Sequence, residues 1–326
     1  MKTISDYEMP LILKNYFSYI QTIKGKSENT IKVYFFDLRV FFRFLKLHKN
    51  LANKNTEFDS IDICDVDIGL IKDVTLSDLY AFMSYVSNKR DNSSRARARK
   101  VASLKSFYNY LANKAKLIDV NPASELESPK IVKRLPRYLN VDESKKLLGS
   151  VDGKHHVRNF AIITLFLNCG LRLSELVGLN MGSIKEDSIH VIGKGNKERN
   201  IPLNKASKEA LLEYKALRET ITGIKDKSAF FLSERKQRIS KESVQKIVKK
   251  FIKISGLDPE KYSTHKLRHT AATLMYKYGH VDIRALQELL GHESIATTEI
   301  YTHLDSQQLR DAVNKNPLSD FSINNK

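Results

Sequence analysis

Four short segments carry residue types suited to phosphoryl chemistry. They are Gly170-Leu171-Arg172-Leu173-Ser174-Glu175, Gly193-Lys194-Gly195-Asn196-Lys197-Glu198-Arg199, His265-Lys266-Leu267-Arg268-His269, and Leu290-Gly291-His292 followed nine residues on by Tyr301. A phosphodiester under attack gains negative charge on its non-bridging oxygens while an alkoxide leaves opposite the nucleophile. Guanidinium forks match those oxygens bidentately and stay charged at any working pH. Arg172 and Arg268 fit that need, and Glu175, three residues after Arg172, is placed to orient it. A phenol, with a pKa of about 10, needs a base, and His265 is the candidate. For the leaving oxygen, Lys194 and Lys197 on one turn are rival proton donors.

Two other chemistries fit less well. His265 and His269 stand four apart, as zinc ligands on a helix would, but no glutamate follows the first and no third ligand has an obvious spacing. His269 reads instead as a structural histidine. Gly193-Lys194-Gly195 lacks the Gly-x-x-x-x-Gly-Lys-Ser/Thr pattern and opens a strand, which argues against a nucleotide-phosphate loop. No metal site and no cofactor are expected.

The elements that position these residues fall into two parts, as expected for a 326-residue chain. Ser27 can cap a helix in which Ile31, Tyr34, Phe35, Leu38, Phe41, Phe42 and Leu45 recur at three- and four-residue steps. Residues 48 to 74 break that rhythm. Glu57, Asp59, Asp62, Asp65, Asp67 and Asp73 face only Lys72 locally, which predicts a solvated loop or insertion. A helix over Leu76 to Val86 and another opened by Ser93 and Ser94 follow. Arg95, Arg97, Arg99, Lys100 and Lys105 crowd the first half of the latter and are candidate phosphate contacts.

Residues 128 to 137 carry two prolines and four cations, and read as a basic linker in which Lys130, Lys133 and Arg134 cross a nucleic-acid backbone. The domains are therefore expected at 1–127 and 138–326. In the second, Val157 to Leu167 is a buried helix ended by Gly170. Ile189, Val191 and Ile192, then Arg199 to Leu203, make a hairpin with Lys194 at its tip. Ala229 to Leu232 suggests a third strand, and helices dominate from Ser243.

Bulk composition agrees with a polyanionic partner. Lysine plus arginine number 55 against 37 acids, a net charge of +18, and each phosphate neutralised releases counterions. The hydrophobic share of 41% fills true cores. Two cysteines, Cys64 and Cys169, form no framework and suit a reducing compartment. The longest mainly apolar run, Ala161 to Leu167 with Thr164 inside it, is too short to span a bilayer, and Met1 to Asp6 lacks a signal-peptide core. A cytoplasmic protein without membrane association is expected.

Taken in order, the four segments resemble the tyrosine recombinase (phage integrase) family, and within it the Xer recombinases most. The resemblance covers nearly the whole chain. It implies a mainly α fold with a small β-sheet, in which a helical core-binding domain and a catalytic domain clamp a DNA half-site. It implies Tyr301 as the nucleophile, forming an O-(3′-phospho-DNA)-tyrosine intermediate, with His265 as its base. Arg172, Arg268 and His292 would bind the scissile phosphate, and Lys194, between its glycines, would protonate the leaving 5′-oxygen.

Such enzymes act without metal or ATP as a tetramer on two duplex DNA sites. The tetramer would be homomeric or shared with a second recombinase, a DNA translocase being a further candidate partner. Chromosome-dimer resolution is the expected role, favoured over a mobile-element integrase because the helical domain begins almost at once. A type IB topoisomerase and a catalytically silent DNA-binding protein are weaker rivals. The tail, with Leu309 and Val313 on one helical face and then Leu318 and Phe321, is expected to dock on a neighbouring protomer.

Overall fold

Ser27 accepts the Thr30 amide at 3.3 Å, and the helix it caps becomes the axis of the N-terminal half. In the computed structural model, which describes residues 7–53, 55–130, 137–193, 197–279, 281–291 and 298, the chain divides into two units, Met1–Lys133 and Arg134–Lys326. The first unit is helical: α1 (Leu11–Thr22), α2 (Glu28–His48), α3 (Ile68–Lys72), α4 (Leu76–Asn88) and α5 (Ser94–Asn113). Helix α1 buries Leu13, Tyr16, Phe17 and Ile20, a stripe that precedes the first helix expected from the sequence. Local capping is strong. Thr75 and Asp78 close a reciprocal capping box on α4, and Ser93 accepts the Ala96 amide on α5. The core is aromatic, with Phe41, Phe42, Phe82, Phe107 and Tyr108 fully buried.

The acidic stretch after α2 keeps its acids exposed, as expected, but it is anchored by apolar residues between them. Ile61, Ile63, Val66, Ile71 and Val74 are all buried. The Arg43 guanidinium reaches the Ile61 carbonyl at 3.0 Å and Asp59 at 3.2 Å. The Lys46 ammonium reaches Asp65 at 2.7 Å and the Asp62 carbonyl at 3.0 Å. The α2 cations that pair with Asp59 and Asp65 lie sixteen and nineteen residues upstream, so a local charge count could not find them.

The basic helix α5 places part of its charge inside the unit. Asp37 on α2, with a side chain only 1% exposed, accepts two hydrogen bonds from Arg99 at 2.8 Å and one from Lys100 at 2.6 Å. Lys100 is buried and turned inward, so it is not a phosphate contact, and Arg99 is held in the same pair. Arg97 donates to Ser87 at 2.8 Å, and Lys105 donates to the Ser124 carbonyl at 3.1 Å. Arg95 and Lys130 are not buried; Lys133 and Arg134 lie outside the described residues.

Asp37→Asn would leave the Lys100 ammonium buried without its counter-charge. We expect the full-length protein to lose about 3 kcal/mol of stability in urea unfolding, the cost of breaking a buried pair from one side. A loss under about 1 kcal/mol would mean that Lys100 swings out to solvent.

The second unit comprises α6 (Val141–Gly149), α7 (His156–Cys169), α8 (Leu173–Gly178), β1 (Ser188–Ile192), β2 (Glu198–Pro202), α9 (Lys205–Glu219), α10 (Lys241–Ile254), α11 (Thr264–Gly279) and α12 (Ile283–Leu290). Helix α7 is buried almost all round and forms the central rod. Strands β1 and β2 pair antiparallel with Val191 opposite Arg199, as the alternating pattern predicts. The third strand does not form. The Phe230 amide donates to the Leu179 carbonyl at 2.9 Å, and the Leu232 amide donates to the Tyr214 hydroxyl at 3.0 Å. With those groups taken, Ala229 and Leu232 make only isolated bridges. Among the described residues no helix is long and apolar enough to cross a membrane.

Candidate active site

Helix α7 ends at Gly170, whose φ of +59° suits glycine. A Cβ there would come within 3.0 Å of the Leu290 side chain. The chain turns at once into α8, with Arg172 at the N-cap and Glu175 three residues on. The Arg172 amide donates to Glu175 Oε2 at 2.7 Å, and Arg172 Nη1 donates to Oε1 at 2.8 Å. Glu175 thus caps its helix and holds the arginine in one interaction.

Two more arginines converge on that carboxylate. Arg199, on β2, donates from Nη1 to Oε1 at 2.8 Å and from Nη2 to Oε2 at 3.0 Å. Its Nε donates to the Leu289 carbonyl at 2.9 Å. Arg268, on the first turns of α11, lies 3.7 Å from Glu175 Oε2. It donates to the Gly170 carbonyl at 2.6 Å and to the Leu290 carbonyl at 2.5 Å. Arg172 Nη2 donates to the Gly291 carbonyl. The ends of α7 and α12, strand β2 and the start of α11 are thereby tied to one buried group.

Glu175 is 1% exposed. Burial alone would push its carboxyl up, but the hydrogen bonds from Arg199 and from the Arg172 amide outweigh that and hold it below the usual carboxylate range. Among the described residues, three cations therefore face this one anion. Arg172, whose side chain is 31% exposed, is the most open of them, and a partly open guanidinium fork is suited to an anion.

Gly291 is fixed by the same cluster. Its φ is +64°, and a Cβ would stand 3.0 Å from Arg199 Nη1 and 3.3 Å from Arg172 Nη1. Any side chain there would displace both guanidiniums. The neck of the β1–β2 hairpin lies beside them: the Gly193 amide donates to the Lys197 carbonyl at 2.7 Å, and a Cβ on Gly193 would lie 3.7 Å from Glu175 Oε1.

His265 sits on the first turn of α11, three residues before Arg268. Desolvation, then the charges of Arg268, Lys266 and Arg172, pull its imidazole below the ordinary histidine range. Each of those influences favours the neutral ring that a base needs. The Nε2 atoms of His265 and His269 are 3.0 Å apart.

Of the residues singled out in sequence, Arg172, His265 and Arg268 are brought to one place. Lys194, His292 and Tyr301 lie outside the described residues, as does the tail from 301. Lys197, the rival of Lys194, is exposed. Arg199 had no role in the chemistry expected from the sequence. The available signal was the two-residue period of β2, which puts Arg199 on the same face as buried Ile201. An arginine on an inward face needs a buried partner.

Residues 137–308 match the model of the phage integrase family. The chain is 59% identical over 310 residues to the tyrosine recombinase XerC of Caldanaerobacter subterraneus subsp. tengcongensis, covering 95% of this chain and 88% of that one. It is 34% identical over 306 residues to the tyrosine recombinase XerD of Listeria monocytogenes, covering 92% and 96%. The XerH site-specific recombinase bound to a palindromic difH substrate shares the fold, with a TM-score of 0.70 at 24% identity over 93% of this chain and 84% of that one. A lambda integrase dimer on its core site does so at a TM-score of 0.63 and 18% identity, over 91% and 97%. With a domain match over more than half its length and close relatives along nearly all of it, the chain belongs to the phage integrase family, as a site-specific tyrosine recombinase of the Xer type.

Proposed function

We propose that this recombinase cuts and rejoins duplex DNA through a 3′-phosphotyrosine at Tyr301 and serves to resolve chromosome dimers. The observation that carries the reading is the arginine cluster, in which three guanidiniums share one buried carboxylate and leave Arg172 partly open beside Gly291. A phosphodiester brings its own negative charge to this site, and Arg172 and Arg268 neutralise its non-bridging oxygens as the attack proceeds. The Tyr301 hydroxyl loses its proton to His265 and its oxygen bonds to phosphorus. The bond to the 5′-oxygen breaks, and Lys194 protonates that oxygen. His292, directly after Gly291, donates to the phosphate. One phosphoester replaces another, so the step needs no nucleotide, and no residue of this scheme calls for a metal.

The N-terminal domain, 1–127, and the catalytic domain, 138–326, each contact the half-site, with Arg95, Arg97 and Lys105 on the backbone and residues 128–137 crossing it. Four protomers act on two sites in the cytoplasm. Relatives named XerC and XerD support a hetero-tetramer with a second recombinase, and the lambda integrase tetramer on a Holliday junction supports that stoichiometry. A DNA translocase is a further partner to test.

The test is to lyse cells in SDS and EDTA and purify the protein with its attached DNA. We expect covalent DNA of one recurring chromosomal sequence, and the purified protein should cleave that sequence in EDTA without nucleotide. Adducts scattered over unrelated sequences, or cleavage that only added magnesium or zinc restores, would overturn the proposal.

A further inference from the structure

The two histidines of the His-x-x-Arg-His segment bear on each other. Their Nε2 atoms lie 3.0 Å apart, and the rings meet edge to face at 81° with centroids 4.4 Å apart. At that separation two facing lone pairs repel, and so do two facing N–H groups. One proton must therefore lie between the rings, which gives the two imidazoles opposite tautomers. The cations around His265 and its partial desolvation disfavour a second proton on that ring. With both Nε2 atoms committed, the nitrogen of His265 left for a substrate proton is Nδ1.

We propose that His269 is a positioning residue that sets the tautomer of His265: His269 Nε2 accepts the His265 Nε2–H and so leaves the His265 Nδ1 lone pair as the base. The proposal rests on the reading of His265 as the acceptor of the nucleophile's proton. The proton balance is simple. The Tyr301 hydroxyl proton passes to His265 Nδ1 as the oxygen bonds to phosphorus, and His265 becomes an imidazolium with two N–H groups. Its Nε2–H stays donated to His269, whose own proton remains on Nδ1. His269 thus does for His265 what a buried carboxylate does for a catalytic histidine in hydrolases, without adding a charge. Turning the pair round would present an N–H where a lone pair is required, which is why a second histidine four residues on matters chemically.

Two measurements test this. Long-range proton–nitrogen NMR of the wild-type protein, with the His265 signals assigned by their loss in His265→Gln, should show His265 protonated on Nε2 and His269 on Nδ1. Single-turnover cleavage would use a nicked duplex carrying the sequence recovered from the wild-type adduct. His269→Leu should cut about 100-fold more slowly at unchanged half-site binding, the order of loss that misplacing a reacting group by about 1 Å can cause. His269→Gln, whose amide oxygen can accept the same N–H, should regain much of that rate. In a His265→Ala background the His269 substitution should have no further effect. A His265 protonated on Nδ1, or a Gln variant no better than the Leu variant, would overturn the proposal. Normal cleavage by His265→Ala would instead overturn the reading of His265 as the base, whatever the tautomers prove to be.

Discussion

Tyr301→Phe should bind its half-site as tightly as the wild-type protein and form no SDS-stable adduct on a nicked substrate. The expected loss of cleavage is at least about 10⁴-fold, because removing the atom that forms the covalent bond leaves no alternative route of comparable rate. Phenylalanine removes one oxygen and keeps the ring, so binding and folding serve as internal controls. The 14 tyrosines of the chain make the assignment a real choice, and it rests on the nine-residue step from His292. That step follows directly on Gly291, which the arginine cluster holds in place. Normal adduct formation by the Phe variant would send the search to another tyrosine.

The second large effect is structural. Glu175→Gln keeps the shape of the site but removes a buried anion on which Arg172, Arg199 and Arg268 converge. Leaving that many guanidiniums together in a largely buried setting should cost about 3 to 5 kcal/mol at neutral pH. The effect should depend on pH in a definite direction. The folded-state pKa of Glu175 is depressed, so its carboxylate contributes stability that is fully present above the unfolded value. That contribution is lost as pH falls through the depressed folded value. The gap between wild type and Glu175→Gln in urea unfolding should therefore be widest near pH 7. It should narrow on acidification below about pH 4, the region of an ordinary glutamate. A gap independent of pH would show that Glu175 acts through packing and not through its charge. Cleavage by the Gln variant should also fall, since three helix ends and a strand lose their common tie.

Much of this molecule could be read one residue after another along the chain. Ser27, Ser93 and Gly170 end or begin helices as expected, because a cap is satisfied by neighbours three or four residues away. The β1–β2 hairpin follows from a two-residue period across a short turn. Arg172, His265 and Arg268 could be singled out for a related reason: each stands in a short motif whose residue types suit phosphoryl chemistry. The phage integrase family could be inferred from those motifs in order.

What the chain order concealed was pairing over distance. Lys100 looks like one cation among five on a basic helix, and only the packing of α5 on α2 brings its ammonium to Asp37, sixty-three residues away. The acids after α2 are exposed, as they look in sequence, but Arg43 and Lys46 pair with two of them from sixteen and nineteen residues upstream. Ala229 to Leu232 has the composition of a strand, yet the Tyr214 hydroxyl takes the Leu232 amide before a ladder can form. Arg199 is the clearest case. It joins Glu175, twenty-four residues before it, to the Leu289 carbonyl, ninety residues after it. Charge and hydrogen-bonding capacity are written in the residue type. Whether a group spends them on water, on a ligand or on a buried partner depends on which segments the fold brings within about 3 Å.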